Sequence, residues 1–111
     1  MHILYVDDSP TDGAIFVRLA KKHGHSVALA YDGTDGLETL QKGQYDKAVL
    51  DYNIPGICGD ILAKCVSPYV NGNVCYLTGE RPHEESQYEF FSKSGLEFNT
   101  HSLWHWINRD A

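Results

Sequence analysis

In YDKAVLDYNIPGICG, residues Tyr45 to Gly59, a short apolar run meets a carboxylate and then a turn. Ala48, Val49 and Leu50, with Tyr45 before them, have the character of a strand buried on both faces of a sheet. Asp51 ends the run, and Pro55 and Gly56 turn the chain beyond it. An acid directly after a buried strand stands at the strand's carboxyl end, where open α/β sheets hold their ligands. Taken alone such an Asp caps a turn. Its meaning depends on what the other strands carry at the same place.

Outward from this stretch the pattern repeats. His2 to Val6 reads as a first strand running into Asp7 and Asp8. Ser9, Pro10, Thr11 and Asp12 look like a helix start, with Pro in the first turn and Asp12 near the positive end of the helix dipole. Ile15, Phe16, Leu19 and Ala20 give that helix a buried face, and it stops at Gly24. Ser26 to Ala30 is a second strand. Asp32 to Gly36 reads as a loop leading into a helix through Leu37 and Leu40. After Asp51, the residues Ile61, Leu62, Cys65 and Val66 suggest a short helix stopped before Pro68. Val74 to Leu77 is a fourth strand ending at Thr78. Tyr88, Phe90 and Phe91 form a fifth that closes at Lys93. Residues 81–87 are polar and offer at most a weak helix. Asn99 or Thr100 caps a last helix whose stripe Leu103, Trp106 and Ile107 faces the core, with Trp104 on its flank. This alternation predicts an α/β fold with a parallel sheet and helices on both faces.

Composition narrows the class. The chain has 111 residues, 42% of them hydrophobic, which suits one compact domain spanning 1–111. A formal net charge of −6 argues against nucleic acid as a partner, since no basic stripe is present to release counterions. Arg18, Lys21 and Lys22 read as a solvated helix face. No apolar run approaches spanning length, so no membrane is expected and the expected location is cytoplasmic. Cys58, Cys65 and Cys75 lack paired spacing and read as reduced packing residues. His101 and His105 have metal-binding spacing but no acidic or thiol partner nearby, and read as surface residues. His23 and His25 flank a helix end and read as capping or solvated.

In a parallel sheet the strand ends share one edge, so Asp7, Asp8, Asp51, Thr78 and Lys93 converge. Carboxylates at 4 Å repel by about 4 kcal/mol per pair at an effective dielectric of 20. A hard divalent cation with oxygen ligands would offset this, and Mg²⁺ is the usual choice where a phosphoryl group is handled. A Thr hydroxyl and a Lys ammonium opposite the metal would clamp the phosphoryl oxygens, with Asp51 as nucleophile. Lys47 and Lys64 are the alternatives to Lys93 for the cationic role.

Ile3 to Ser9 resembles the first-strand acidic pair of the receiver domains of two-component response regulators. Asp51 to Gly56 with Gly59 resembles their phosphoacceptor segment, and Leu77-Thr78-Gly79 their switch hydroxyl. The resemblance covers essentially the whole chain. It implies a doubly wound, flavodoxin-like five-stranded sheet of order 2-1-3-4-5. It implies phosphoryl acceptance on Asp51 from a sensor histidine kinase or phosphotransfer protein, with at most self-catalysed chemistry rather than a separate enzymatic activity. Mg²⁺ would be held by Asp8 directly, Asp7 through water, an Asp51 oxygen and the Asn53 carbonyl. Thr78 and Lys93 would hold the phosphoryl group, with Phe90 at the aromatic switch position. The signal would pass through the face of the fifth strand and last helix, with Trp104 as a candidate contact, to a downstream protein or a second copy.

Two departures accompany the resemblance. Ser94 stands where Pro usually follows the Lys, which makes a cis bond there costly. The stretch from Thr78 to Lys93 is also short, leaving little room for a full fourth helix. Two rival functions follow from different chemistry. A phosphatase passing through an aspartyl-phosphate would want an acid at Asn53, which cannot protonate a leaving group. A receiver-like binding module working without phosphorylation is the other.

Overall fold

The computed structural model describes residues 1–57, 59–79, 88–93 and 101–109. Strand and helix alternate along the chain: β1 (His2–Val6), α1 (Pro10–Lys22), β2 (Ser26–Ala30), α2 (Gly33–Gln41), β3 (Lys47–Leu50), α3 (Gly59–Val66), a 3₁₀ turn (Ser67–Val70), β4 (Val74–Thr78), β5 (Glu89–Ser92) and α4 (His101–Asn108). The five strands form one parallel sheet of order β2-β1-β3-β4-β5. The resemblance to receiver domains implied this order. The segment 80–87, where a shortened fourth helix was expected, lies outside the described residues, as do Cys58, Ser94, Asn99 and Thr100.

Each strand divides its side chains between two cores, as the two-residue period of a strand requires. Ile3 and Tyr5 join Phe16, Leu19, Val49, Cys75, Leu77, Leu103 and Ile107 on the α1 and α4 side. Leu4 and Val6 join Leu40, Leu50, Leu62, Val66 and Tyr76 on the α2 and α3 side. Fully burying one such Leu or Ile contributes about 1.5–3 kcal/mol, so the sheet is fixed from both faces. No helix among the described residues is long and apolar enough to cross a membrane.

The start of α1 follows its sequence. Ser9 is the N-cap, its Oγ accepting from the Asp12 N–H at 3.2 Å, and Pro10 occupies the first turn. The start of α2 differs from the expected loop. Asp32 caps the helix by accepting from the Asp35 N–H at 2.7 Å, so Gly33 to Gly36 are already helical. A Cβ on Gly33 would stand 1.8 Å from the Ile57 Cγ2, so close packing of the β3–α3 loop explains this glycine better than loop flexibility does. In α3 the buried face is Leu62, Ala63 and Val66, while Ile61 and Cys65 are exposed, a rotation from the expected stripe.

Three further residues depart from the reading of the sequence. Trp104 is not a flanking surface residue but is 3% exposed. It stacks on His23 at 4.4 Å and Phe16 at 5.5 Å, because α4 presents a face wide enough to cover α1 as well as the sheet. Lys47 opens β3 at 2% exposure, far from any strand's carboxyl end. Its Nζ donates to the Trp106 carbonyl at 2.5 Å and the Arg109 carbonyl at 2.9 Å, the unsatisfied end of α4. His25 is buried rather than solvated, with Nδ1 3.0 Å from the Met1 amine and Nε2 2.6 Å from the Asn108 Oδ1. These contacts fasten the last turn of α4 to the amino edge of the sheet.

Candidate functional site

The carboxyl edge carries the charge. Three ladder bonds continue one residue past the strands: the Asp7 N–H donates to the Ala30 carbonyl at 3.0 Å, Asp51 to Val6 at 2.8 Å, and Lys93 to Thr78 at 3.0 Å. Each of these site residues is therefore held by the sheet itself, although it stands beyond the regular strand. Thr78 ends β4, fully buried, in register with Ser92.

Asp7, Asp8 and Asp51 each offer one oxygen, and these lie within 4.8 Å of one another. Asp7 and Asp51 are buried and Asp8 is exposed. The Asp7 carboxylate accepts from the Tyr5 hydroxyl at 2.6 Å and the Ser9 N–H at 3.0 Å. Asp51 Oδ1 accepts from the Asn53 N–H at 3.2 Å, which curls the loop back over the strand end. Such hard oxygen donors, backed by hydrogen bonds that fix their orientation, fit a hard divalent cation.

Lys93 is drawn into the same cluster. Its Nζ donates to Asp7 Oδ2 at 2.6 Å, Asp12 Oδ2 at 2.9 Å and Asp51 Oδ2 at 3.0 Å. Burial disfavours the ammonium, but the hydrogen bonds it donates to these carboxylates outweigh it and hold the pKa well above the usual lysine value. Burial, and next the negative charge of Asp7, likewise push the Tyr5 phenol far above its ordinary range, so it remains a donor. Four carboxylates (Asp7, Asp8, Asp12 and Asp51) against one ammonium leave this corner with a formal charge of −3.

The loop beyond Asp51 is fastened by a carboxylate of its own. Asp60 accepts from the Tyr76 hydroxyl at 2.7 Å and the Tyr52 hydroxyl at 3.0 Å, tying α3 to β4 and to the residue after Asp51. A Cβ on Gly59 would lie 2.7 Å from the Tyr52 carbonyl oxygen, so only glycine permits this approach. Phe90 is half-buried on β5, in register with Tyr76 and packed against the α2 and α3 core. A Cβ on Gly79, directly after Thr78, would meet no described atom within 4 Å.

The structure brings Asp7, Asp8, Asp51 and Lys93 together, with Thr78 adjoining through the main chain and Asn53 through its N–H. Of the alternatives to Lys93, Lys47 is buried at the opposite edge and Lys64 is exposed on α3, whereas Lys93 reaches the carboxylates. The Lys93–Ser94 bond and Glu80 lie outside the described residues. Sequence reasoning missed two members of the site. Asp12 passed as a helix-dipole residue and Tyr5 as a strand residue. The signal available for Asp12 was its place one helical turn past a capped start, which returns it over the strand end.

Comparison with known proteins agrees with this geometry. The sequence pattern of the response regulator receiver domain matches residues 3–91. Protein PilH of Pseudomonas aeruginosa is 39% identical over 57 residues, covering 51% of this chain and 47% of PilH. The chain thus spans about half the length of that relative, and 23% of the transcriptional regulatory protein TcrA of Mycobacterium tuberculosis. Among solved structures, chemotaxis protein CheY4 of Vibrio cholerae superposes with a TM-score of 0.82 at 24% identity, over 97% of this chain and 96% of that one. Response regulator protein TrrA of Thermotoga maritima has been solved with Mg(2+)-BeF, and with the histidine kinase ThkA. It gives TM-scores of 0.81 and 0.82 at 24% identity, over 97% of this chain and 96% of the other. At that identity the structural likenesses establish the fold, and the sequence match establishes the family. This chain belongs to the response regulator receiver domains, the phosphoacceptor switches of two-component signalling.

Proposed function

We propose that residues 1–111 form one receiver domain that accepts a phosphoryl group on Asp51 with Mg²⁺ as cofactor. The observation that supports this best is the cluster of three close carboxylate oxygens with Lys93 hydrogen-bonded into it. Asp7, Asp8, Asp51 and the Asn53 carbonyl would hold Mg²⁺, which when bound neutralises phosphoryl oxygens during transfer. An Asp51 oxygen forms a P–O bond as the P–N bond to a donor histidine breaks, and the electron pair leaves with the imidazole nitrogen. Lys93 then has a phosphoryl oxygen to bind, and the Thr78 hydroxyl donates to another. Movement of Thr78 would open space for Phe90, altering the face of β5 and α4.

The donor in this reading is a sensor histidine kinase or phosphotransfer protein, as the ThkA complex of TrrA suggests by analogy. The output is a protein partner or a second copy meeting β5 and α4, where Glu89, Ser92 and His105 are exposed and Trp104 is not. The expected location is the cytoplasm. The domain acts as a switch, with at most self-catalysed phosphorylation and dephosphorylation. The metal-type carboxylates gathered around the Lys93 ammonium favour this reading over a module that works without phosphorylation.

Acetyl phosphate or a phosphorylated histidine domain, with Mg²⁺, should add one phosphoryl group, mapped by mass spectrometry to Asp51. Asp51→Asn should abolish the labelling and Asp8→Ala its dependence on Mg²⁺. Labelling of Asp51→Asn, or labelling of Asp8→Ala that Mg²⁺ still stimulates, refutes the site as drawn.

A further inference from the structure

Lys93 has three N–H bonds, and three carboxylate oxygens lie within hydrogen-bond distance of its Nζ: Asp7 at 2.6 Å, Asp12 at 2.9 Å and Asp51 at 3.0 Å. Asp7 and Asp51 belong to the oxygen set that fits a divalent cation, and Asp12 does not. Asp12 approaches from α1, where its own N–H is fixed on Ser9 Oγ at 3.2 Å, and its side chain is 28% exposed. A cation held by Asp7 and Asp51 would share their charge and weaken their hold on the ammonium. Asp12 keeps its full charge for Lys93. That same charge repels an incoming phosphoryl dianion across so small a pocket.

We propose that Asp12 is a positioning residue for the phosphoryl-binding lysine: it anchors Lys93 to α1 and competes with the phosphoryl group for its ammonium. Asp12 also adds to the negative potential that attracts Mg²⁺. The inference rests on the phosphoacceptor reading above. It gives the two ligands opposite responses to one substitution. Without the Asp12 charge, Mg²⁺ meets a less negative pocket and binds more weakly, by roughly fivefold. The phosphoryl group meets less repulsion and a lysine no longer held by the Asp12 charge, and its mimic binds roughly fivefold more tightly.

The test uses the full chain and two probes, Mg²⁺ alone and then beryllofluoride at saturating Mg²⁺, each titrated by amide NMR shifts. Asp12→Asn is expected to weaken Mg²⁺ and tighten beryllofluoride. Asp12→Ser, a second uncharged first-turn residue, should give the same pair of signs if Asp12→Asn does not fold. Asp12→Glu should restore Mg²⁺ affinity. Glu38→Gln, which removes an equal charge from the exposed side of α2, should move neither constant. A merely structural role would weaken both ligands together, and that outcome, or no change in either, overturns the proposal while leaving the phosphoacceptor reading intact. A wild-type chain that responds to neither probe overturns both.

Discussion

Replacing Asp51 by Asn should make the metal-free protein more stable while disabling it. At the 4.8 Å limit of their separation and an effective dielectric of 20, each repulsion between Asp51 and its two neighbours Asp7 and Asp8 is about 3.5 kcal/mol, together about 7 kcal/mol. The attraction lost to Lys93 at 3.0 Å is about 5.5 kcal/mol on the same scale. The difference, about 1.5 kcal/mol, favours the variant and corresponds to a rise of roughly 6 °C in Tm for a chain of this size. Thermal unfolding followed by circular dichroism, at low ionic strength with chelator present, would measure it. At about 1 M salt, where the Debye length is about 3 Å, the gap should narrow. Added Mg²⁺ should then reverse the order. A ligand at a hundred times its Kd stabilises by about 2.7 kcal/mol, and the wild type should collect that gain while the variant receives little of it. A metal-free variant less stable than the wild type would refute the reasoning. It would mean that Lys93 already satisfies the cluster, and that electrostatic relief supplies no demand for a cation.

Other perturbations test the remaining structure. Both Lys93 and Tyr5 have pKa values raised on folding above ordinary values of 10.5 and 10.0, so both sites keep their protons in either state below about pH 10. Above that the unfolded chain releases protons that the folded chain retains, and stability should fall as pH rises from there. Urea midpoints measured into the alkaline range should show this, Tyr5→Phe should flatten it, and a midpoint that climbs would contradict it. Lys47→Met keeps the stem but leaves the Trp106 and Arg109 carbonyls without their donor, at a cost of about 2 kcal/mol in denaturant unfolding with an unchanged m-value. An unchanged midpoint would show that water replaces the ammonium there. Gly59→Ala should destabilise by about 1–3 kcal/mol, because its Cβ meets the Tyr52 carbonyl. It should also weaken Mg²⁺ binding through the displaced loop, measurable by calorimetry.

The carboxyl edge was legible because the apolar runs of four of the five strands end on their chemistry, and parallel pairing carries those ends to one place. Asp7, Asp51, Thr78 and Lys93 needed only the element pattern and the rule for open sheets. Asp12 and Tyr5 were not legible in this way, since their roles depend on where a helix turn and a strand side chain point after folding. Lys47 and Trp104 misled for a related reason. A lysine reads as a surface charge until a helix end is found over it, and a tryptophan one position off the apolar stripe reads as exposed until a second helix covers it. The α2 glycines read as a loop because close approach to Ile57 leaves no trace in local sequence.

The fastening of α4 has a mechanical consequence. Lys47 and His25 grip its last turn at the edge of the sheet opposite the carboxylates. A helix clamped at one end swings rather than slides, so a displacement arriving from the charged edge would be expressed as a tilt about the Lys47 ammonium. The lever arm is the length of the helix, about 12 Å for eight residues at 1.5 Å each. Residues near its start would then travel farthest, and Trp106, seated on the pivot, would scarcely move.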